Sequence, residues 1–398
     1  MPYNTRRAAR GRSGFTSYHA RPKKRGAPRK DYINPSRFVK AAQVVEIEPY
    51  VPTHTFADFA VDDILMANIA KKGFVTPSPI QDQAIPVALD GRDVVGIANT
   101  GTGKTAAFAV PLLHSLIRIP SAKALIMAPT RELAEQIEAE CRELGRGGGF
   151  TGALLIGGTS YGPQLRDLRN NPRVVIGTPG RIKDHMERGT LKLSGFDIAV
   201  LDEVDRMLDM GFVNDMRTIL SQLSTPRQSM FFSATLSPAV RTLINTFSHD
   251  PVTISVKTGD TVDSVEQDIV RYSTRSEKID KLHDTLIQDH VEKVVVFDET
   301  QRSVERLCQD LVARGFKVDA IHGGKSQSQR QRALRRFKQS EINVLVATDV
   351  AARGIDVADI THVINYTQPG SYDDYVHRIG RAGRAGRTGY ALTFVEGA

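Results

Sequence analysis

The sequence predicts an α/β protein of two domains, each a mostly parallel sheet with helices on both faces. Three observations lead to this fold class. The length of 398 residues exceeds what one hydrophobic core usually serves. Short unbroken apolar runs alternate with helix-like stretches, a pattern typical of parallel strands buried on both faces. The alternation stops in a polar stretch near residue 257 and then restarts, which indicates a second unit of similar design.

The first 52 residues are predicted to form a disordered basic N-terminal tail. Residues 1–40 hold twelve Lys or Arg against one acid, Asp31, which gives a net charge of +11. Because the whole chain carries +8, the remainder carries −3. A segment of this composition has too little apolar surface to order itself. It is expected to be either a solvated tail or a segment that attracts a polyanion, and the sequence leaves both open.

The first predicted domain covers residues 53–256, and its strands are expected in short apolar runs. These runs are residues 93–98, 124–129, 153–158, 173–178, 198–203 and 230–235. The polar stretch 249–268 is read as a last strand followed by a linker, placed at 257–266.

The second predicted domain covers residues 267–398 and repeats the alternation of strands and helices. Its expected strands are residues 293–298, 318–324, 343–349, 361–366 and 391–395. The chain has two cysteines, Cys141 and Cys308, which are expected to be small core residues and not a disulfide or zinc ligands. No apolar run reaches membrane-spanning length and the N-terminus lacks the apolar segment of a signal peptide, so a cytoplasmic protein without a membrane partner is expected.

The strongest local signal is ANTGTGKT at residues 98–105, which follows a predicted strand and opens a predicted helix. Glycines in this context let backbone N–H groups surround a phosphate, while Lys104 supplies charge and Thr105 offers a hydroxyl to Mg²⁺. A strict P-loop has Gly at the position of Ala98, so the match is near rather than complete. The alternative is an ordinary Gly-rich turn before a helix.

Three carboxylates, Asp202, Glu203 and Asp205, close the predicted strand at 198–203. Burying a carboxylate without a partner costs several kcal/mol, so this stretch is either a strand end facing water or a metal site. The P-loop favours the metal site, because in P-loop enzymes a strand-end Asp holds Mg²⁺ and a neighbouring acid can position the attacking water. Asp202 is therefore the predicted magnesium ligand, and Glu203 is the predicted catalytic residue that positions the attacking water.

A third signal is YVHRIGRAGRAGR at residues 375–387, where arginines stand beside glycines. Taken alone, it would be a basic helix face. With a phosphate site elsewhere in the chain, Arg381 and Arg384 become candidate arginine fingers, which stabilise charge on a transferred phosphoryl group.

Together these motifs resemble the DEAD-box RNA helicase family, with DEVD at residues 202–205 in place of DEAD. The motifs that match in order and spacing are Phe56, GFVTPSPIQ (73–81), ANTGTGKT (98–105), PTRELA (129–134), the glycines 157–158, TPGR (178–181), SAT (233–235), Phe297 and Thr300, QSQR (327–330), ATDVAARGID (347–356) and HRIGRAGR (377–384). The resemblance is to a short bacterial-type member and implies two tandem RecA-like domains. Val204 replaces the family's Ala, for which tight but tolerable packing is expected, and Ser78 replaces a Thr while keeping the hydroxyl.

The resemblance implies ATP and Mg²⁺ as cofactors, with Thr105 and Asp202 on the metal. Gln81 would read adenine, Phe74 would stack on it, and Asp356 would contact the ribose. The nucleotide contacts that the resemblance implies are Phe56, Phe74, Gln81, Ala98, Asn99, Thr100, Gly101, Thr102, Gly103, Lys104, Thr105 and Asp356.

The resemblance also implies a catalytic set and an RNA surface. Ser233 and Thr235 would couple hydrolysis to strand separation. The implied catalytic residues are Glu203, Lys104, Arg381, Arg384, Ser233, Thr235 and His377. The implied contacts with the RNA backbone are Thr130, Arg131, Gly157, Gly158, Thr178, Gly180, Arg181, Gln327, Arg330, Thr348 and Arg353.

The expected function is therefore that of an ATP-dependent RNA helicase, which locally unwinds short duplexes or remodels ribonucleoproteins. No aromatic platform interleaves the motifs, so sequence-nonspecific RNA binding is expected. An ATP-gated RNA clamp or scaffold would use the same residues, and a DNA translocase of the same superfamily would share the P-loop and the arginines. The sequence indicates no protein partner.

Overall fold

The computed structural model describes residues 33–42, 50–99, 101–256, 264–352, 357, 359–383 and 388–397. Within these residues the chain forms two parallel sheets. The strands of the first sheet are β1 (Val94–Ile97), β2 (Ala124–Met127), β3 (Gly152–Leu155), β4 (Val174–Gly177), β5 (Ile198–Leu201), β6 (Gln228–Ser233) and β7 (Val252–Ser255). They lie in the order β3-β4-β2-β5-β6-β1-β7, and every pairing between neighbours is parallel.

The second sheet is also parallel throughout. Its strands are β8 (Val265–Tyr272), β9 (Val294–Phe297), β10 (Val318–Ile321), β11 (Val344–Ala347), β12 (His362–Asn365) and β13 (Gly389–Glu396). They lie in the order β10-β11-β9-β12-β13-β8. The predicted fold class of two α/β units with parallel sheets is confirmed.

Helices connect the strands of both sheets, as parallel pairing requires. In the first part of the chain they are α1 (Asp63–Lys71), α2 (Pro79–Leu89), α3 (Lys104–Arg118), α4 (Arg131–Leu144), α5 (Tyr161–Arg169), α6 (Pro179–Glu187), α7 (Val204–Asp209), α8 (Val213–Leu220) and α9 (Pro238–Phe247). In the second part they are α10 (Arg275–Leu286), α11 (Gln301–Ala313), α12 (Gln327–Lys338), α13 (Asp349–Ala352) and α14 (Tyr372–Ile379). Two short 3-10 turns, Pro35–Phe38 and Phe56–Asp58, precede α1.

Each sheet is buried on both faces, which explains why its central strands are apolar without interruption. Successive residues of a strand point to opposite faces. Accordingly, Val94 belongs to one apolar cluster of the first sheet and Val95 to the other. In the second sheet Val294 and Val295 are divided in the same way. Cys141 is buried, as expected for a small core residue, whereas Cys308 is half-buried, and both are free thiols.

The sequence analysis missed one strand, β8. Its sequence, VEQDIVRY, is polar and irregular, and its side chains alternate between buried and exposed over the first half. This pattern arises because β8 is the edge strand of the second sheet and pairs only with β13 among the named strands. The strand begins at Val265, so the expected linker 257–266 extends two residues into it.

The expectation of a tail without packed structure up to residue 52 is wrong for residues 33–40. Phe38 is fully buried and Ile33 nearly so, both within an apolar cluster of the second sheet. Lys40 forms an antiparallel bridge to Gln267 of β8. The physical reason is that a few apolar side chains and one strand edge suffice to fix a short segment, even beside a strongly basic stretch. Residues 1–32 and 43–49 lie outside the described part.

A membrane-crossing helix would have to be both long and apolar, and none of the helices in the described ranges is.

Candidate active site

The loop between β1 and α3 lies at the carboxyl edge of the first sheet. Ala98 is buried, and its N–H donates to the Ser233 carbonyl at 3.0 Å. Gly101 and Gly103 both have φ +87°, in the left-handed region that favours glycine. Lys104 opens α3, is buried, and its Nζ donates to the Ala98 carbonyl at 2.9 Å. The loop and its lysine thus have the strand–loop–helix context that a phosphate-binding loop requires.

Helix α2 packs on this loop through its first turn. The Ser78 hydroxyl donates to the Thr102 carbonyl at 2.7 Å, so the bond survives the replacement of Thr by Ser. The Gln81 side-chain amide donates to the Gly103 carbonyl at 3.0 Å, and its Oε1 accepts from the Ser78 N–H at 2.8 Å. A Cβ at position 103 would lie 2.4 Å from Gln81 Nε2 and would displace this amide, and the φ of +87° itself favours glycine there. Gln81 is therefore fixed against the loop, and its reading of adenine stays a prediction.

The two aromatic residues predicted to contact the nucleotide differ in accessibility. Phe56 is buried, with its ring 5.6 Å from Phe59 in an edge-to-face arrangement and 5.3 Å from Phe74. Phe74 is half-buried, and the Lys72 Nζ lies 5.7 Å from its ring centroid. Of the two, Phe74 is the ring that can stack on a base, whereas Phe56 packs behind it.

The carboxylates at the end of β5 are deeply buried, with Asp202 at 2% and Glu203 at 5% exposure. Burial raises the pKa of Asp202; the positive charge of Lys104 opposes this effect and the neighbouring Glu203 adds to it. Burial also disfavours ionised Glu203, but the charges of Arg206, Lys104 and Arg381 outweigh it, so the pKa of Glu203 is lowered. The site therefore holds an ionised glutamate beside an aspartate for which Lys104 offsets only part of the effect of burial.

The residues predicted to hold Mg²⁺ fit that ion. Asp202 and Thr105 offer oxygen ligands, and Mg²⁺ usually binds one or two carboxylates plus substrate phosphates. Within the described ranges no group of three or more His, Cys, Asp or Glu is arranged to hold a metal ion by itself. The raised pKa of the buried Asp202 is that of a carboxylate whose charge a cation would compensate. These observations suit a metal ion that arrives with phosphate oxygens.

The backbone at Glu203 is strained, which fixes where its side chain points. Glu203 has φ +53° and ψ +54° and caps the start of α7. A non-glycine residue in this region costs roughly 1–3 kcal/mol and persists where the surroundings enforce it. The following Val204 is fully buried in the apolar cluster on that face of the sheet. Glu203 also forms a buried ion pair with Arg206, one turn further along α7.

Asp205 connects this stretch to the SAT motif. Its Oδ2 accepts from the N–H groups of Ala234 at 3.1 Å and Thr235 at 2.8 Å and from the Thr235 hydroxyl at 3.1 Å. The N–H of Asp205 donates to the Ser233 hydroxyl at 3.3 Å. The Asp205 carboxylate therefore couples the position of the DEVD stretch to that of the SAT motif.

In the second half of the chain, Arg378 fixes the helix that leads to the candidate arginine finger. Its guanidinium donates to both carboxylate oxygens of Asp349, at 2.5 and 2.7 Å, and to Asn365 Oδ1 at 3.1 Å. Arg381 is 4% exposed, and its charge lowers the pKa of Glu203. A cleft of about 10 Å³, room for at most one water molecule, has side chains from both halves of the chain in its lining. The polar members of this lining include Arg206, Asp349, His377, Arg378 and Arg381.

The first group of predicted RNA contacts lies at the carboxyl ends of β2 and β3. Thr130 caps α4, its hydroxyl accepting from the Leu133 N–H at 3.3 Å. The guanidinium of Arg131 lies across the glycine pair at 157–158. A Cβ at Gly158, which has φ +72°, would approach Arg131 Nη1 to 1.9 Å. Gly158 is thus required for this arginine to lie where it does, whereas a Cβ at Gly157 would lie at an ordinary contact distance of 3.5 Å from Arg131 Nη2.

The TPGR motif lies beside this arginine at the start of α6. Arg181 donates to the Thr159 carbonyl at 3.4 and 3.5 Å, and its guanidinium carbon lies 4.2 Å from the Tyr161 ring centroid. Burial and the positive charges of Arg131 and Arg188 lower the pKa of Arg181. Thr178 is buried and Gly180 exposed. The cationic groups collected here suit an anionic ligand such as a phosphate backbone.

Gln327 and Arg330, the predicted RNA contacts on α12, instead bond to carboxylates of α4. Arg330 Nη2 lies 2.8 Å from Glu132, a pair in which both side chains are less than a tenth exposed. Gln327 donates to Glu132 at 3.4 Å and to both oxygens of Glu135 at 3.1 Å. Gln331 donates to Glu135 at 2.8 Å. These residues therefore connect the two sheets, and any contact they make with RNA must be made from this position.

One more predicted RNA contact, Thr348, is among the described residues, and four predicted site residues are not. Thr348 is buried at the end of β11, with its N–H donating to the Ile321 carbonyl at 3.3 Å. Thr100, Arg353, Asp356 and Arg384 lie outside the described residues.

Two protein-family models match the chain. Residues 78–244 match the DEAD/DEAH box helicase domain, and residues 277–386 match the helicase conserved C-terminal domain. The chain belongs to the DEAD-box helicase family. The predicted family resemblance is confirmed.

Relatives of known name support the same membership. The chain is 43% identical over 343 residues to the ATP-dependent RNA helicase CshA of Listeria monocytogenes, covering 86% of this chain and 66% of that protein. It is 42% identical over 345 residues to the DEAD-box ATP-dependent RNA helicase CshA of Bacillus subtilis, covering 86% and 70%. The DEAD-box chain thus spans about two thirds of the length of these relatives.

A solved structure of S. cerevisiae Dbp5 bound to RNA and ADP BeF3 has a similar fold. The TM-score is 0.75 at 29% identity, and the alignment covers 86% of this chain and 90% of that one.

The structure of this DEAD-box protein identifies residues that the sequence analysis did not assign to the site. Asp205 and Arg206 fix the SAT motif and Glu203, Arg378 fixes α14, and Glu132 and Glu135 receive the α12 side chains. Asp205 and Arg378 lie inside motifs found in the sequence, so the motifs could have indicated that these two residues belong to the site. No sequence motif indicated Glu135, because its partners are nearly two hundred residues away.

Proposed function

We propose that this chain is an ATP-dependent RNA helicase, an enzyme that hydrolyses ATP in response to RNA and remodels short duplexes or ribonucleoproteins. The observation that carries the proposal is the meeting of two charges from different sheets. Arg381, which follows α14, acts electrostatically on Glu203, which follows β5. Arg381 also lines a cleft to which the first half contributes Arg206, the ion-pair partner of Glu203. An arginine supplied across a cleft to a phosphoryl-transfer site is a recurrent means of catalysis.

The proposed roles follow from the positions of the side chains. Lys104 would turn from the Ala98 carbonyl to the outer phosphates of ATP. Thr105 and Asp202 would hold Mg²⁺, which when bound neutralises phosphate charge. Glu203, ionised and fixed by Arg206, would orient and deprotonate the attacking water. Arg381 would stabilise the charge that develops on the transferred phosphoryl group.

RNA is the proposed polymer substrate, bound through its backbone without sequence preference. The supporting feature is the group of arginines formed by Arg131, Arg181 and Arg188 at the carboxyl edge of the first sheet, whose mutual repulsion contributes to the lowered pKa of Arg181. A phosphate backbone would relieve this repulsion. The relatives named as RNA helicases, and the neighbour solved with RNA and ADP BeF3, favour RNA over DNA.

We propose domains at 53–256 and 265–398, a linker between them, a basic tail at residues 1–32 and a cytoplasmic location. The second domain starts at 265 because β8 begins at Val265.

The test is ATPase activity measured with single-stranded RNA, with DNA of the same sequence and without nucleic acid. RNA should stimulate turnover strongly and DNA weakly, and ATP should support it far better than GTP if Gln81 reads adenine. Equal stimulation by DNA would favour a DNA translocase. Strong ATP-dependent retention of RNA without separation of a short duplex would favour the clamp.

A further inference from the structure

Asp82 lies in the first turn of α2, directly after Gln81, and is 3% exposed. Its carboxylate accepts four hydrogen bonds from three residues that precede α1. They come from the Tyr50 hydroxyl at 2.5 Å, the Thr53 N–H at 2.8 Å, the His54 N–H at 3.1 Å and the His54 ring at 2.7 Å. Burial raises the pKa of Asp82, but the hydrogen bonds from these three residues outweigh this effect, so the pKa is lowered. An ionised carboxylate with four donors therefore fixes the segment against α2.

The segment that Asp82 holds continues directly into the aromatic residues of the predicted nucleotide site. Phe56 follows two residues after His54, and its N–H donates to the Val75 carbonyl at 3.0 Å. The buried Phe56 ring lies 5.3 Å from the ring of Phe74, the residue just before Val75. Phe56 therefore supports Phe74 both through the backbone and through its ring.

Two predicted adenine contacts thus depend on Asp82 from two directions. Gln81 precedes it in the same helical turn, with its side-chain amide fixed on the Gly103 carbonyl at 3.0 Å. Phe74 is supported by Phe56, which lies at the end of the segment that Asp82 holds. The residues that donate to Asp82 are not themselves predicted nucleotide contacts, so its influence on the nucleotide is exerted through the two groups it connects.

We infer that Asp82 is a positioning residue for adenine, which fixes the Phe74 ring that stacks on the base relative to the Gln81 amide that reads its edge. A base held at both edge and face requires the two groups at a set spacing, and such spacing is maintained by supporting hydrogen bonds. The inference rests on the proposed function, which gives Gln81 and Phe74 these roles.

The consequence for the reaction is a loss of nucleotide affinity and selectivity without a change in the chemical step. Asp82→Ala leaves its donors unpaired and loosens the support of Phe74, so KM for ATP should rise about ten-fold. GTP should lose only about two- to three-fold, because stacking alone is affected when the edge of the base is not read. At saturating ATP and RNA, kcat should stay within about two-fold, because the four bonds of Asp82 lie away from the residues assigned to phosphoryl transfer.

A graded set of variants separates positioning from general stability. Tyr50→Phe removes one of the four donors, from a side chain at the surface, and should raise KM for ATP about two-fold. Asp82→Asn keeps one acceptor oxygen, so its effect should lie between those of Tyr50→Phe and Asp82→Ala. Asp90→Ala is the matched control, because Asp90 is an exposed acid at the other end of α2, and it should behave as wild type.

The measurements are steady-state turnover with ATP and with GTP at saturating RNA, and equilibrium titrations of the full chain with Mg·ADP and Mg·GDP in the absence of RNA. Thermal unfolding is followed beside them, and if Asp82→Ala does not fold, Asp82→Asn and Tyr50→Phe carry the comparison. A preference for adenine that falls in the order Tyr50→Phe, Asp82→Asn, Asp82→Ala at an unchanged kcat is the expected result. An equal loss of affinity for both nucleotides, or a wild-type preference kept by the Asp82 variants, would overturn the inference.

The titrations do not need ATPase activity, so the two possible failures can be distinguished. A wild-type chain that prefers ADP but shows no RNA-stimulated turnover would contradict the proposed function alone. A wild-type chain that binds ADP and GDP equally would overturn the reading of adenine and this inference with it. Wild-type preference and turnover that the Asp82 variants retain would overturn the inference alone.

Discussion

The two halves of the cleft are fixed in different ways. In the first half the catalytic groups are held by bonds within one sheet and its own helices, such as Gln81 to Gly103 and Asp205 to Thr235. In the second half Arg378 fixes α14 internally, but Gln327 and Arg330 take their partners from α4 of the first half. The first half is therefore a site prepared in advance, whereas the second half acquires part of its order from contact with the first.

The largest effect should come from removing the arginine that the second half supplies. Arg381→Ala should lower RNA-stimulated ATP turnover by roughly 10³-fold or more, the range found for arginine fingers. Binding of ATP should change little, because the first half retains its loop and carboxylates. The measurement is steady-state turnover at saturating RNA beside ATP affinity. Arg314→Ala is the control, because that arginine forms an ion pair with Asp280 at 2.7 Å outside the cleft.

Turnover of Arg381→Ala near that of wild type would mean that this arginine is only a buried structural charge. The same substitution at Arg384 is expected to act in the same direction, on the basis of the sequence motif.

The next largest effect is expected from a substitution in the first half of the cleft. Glu203→Gln keeps the shape of the side chain but removes the proton acceptor, so hydrolysis should fall about 10²- to 10⁴-fold. ATP should still bind and the halves should still meet, which predicts a long-lived complex on single-stranded RNA. Dissociation of labelled RNA in excess ATP measures this. Asp202→Asn is the companion variant, and it should weaken nucleotide binding as well as chemistry. Normal turnover of Glu203→Gln would contradict the assignment.

The difference between the halves also explains how much the sequence could predict. The P-loop, the acids after β5 and the central strands follow from patterns local in sequence, and they were predicted. The edge strand β8, the docking of Phe38 and the pairing of Arg330 with Glu132 depend on partners far away along the chain. No local pattern encodes such a partner. Asp205 is an intermediate case, since its position was evident but its bonds to the SAT segment were not.

A matched pair of substitutions on α4 tests the contact between the halves. Glu132→Gln leaves the buried Arg330 without its counter-charge, which should weaken closure and raise the half-saturating RNA concentration about ten- to hundred-fold. Glu135→Gln keeps an acceptor for Gln327 and Gln331 and should change it less than about two-fold. The measurement is an RNA titration of ATPase activity. Equal effects of the two variants would show that the ion pair between Arg330 and Glu132 stabilises the closed form no more than the hydrogen bonds to Glu135 do.

The same contact predicts a pH dependence. Burial raises the pKa of Glu135, and hydrogen bonds from Gln331 and Gln327 oppose this only in part. In the closed form, in which α12 contacts α4, Glu135 therefore binds a proton more readily than in an open form without this contact. Protonation of Glu135 therefore stabilises the closed form fully below the ordinary carboxyl pKa of 4.5. This stabilisation is lost as pH rises through the raised pKa of Glu135. RNA affinity should thus decline slightly over this window in wild type and not in Glu135→Gln.

A smaller effect than those of the Arg381, Glu203 and Glu132 variants should come from the basic residues that precede Ile33. Deleting residues 1–32 removes most of the N-terminal positive charge but keeps the packed segment that starts at Ile33. Deletion up to residue 40 would also remove the buried Phe38. Lysine and arginine contacts to phosphate release counterions, which gives a slope of roughly −0.7 per neutralised phosphate on single strands. The truncated protein should bind RNA a few-fold more weakly at low salt, show a flatter dependence of affinity on salt, and bind ATP as before. The measurement is RNA affinity across a salt series, with the full chain as reference. An unchanged slope would mean that these charges do not contact RNA, and a loss of ATP affinity would mean that the truncation disturbed the prepared half instead.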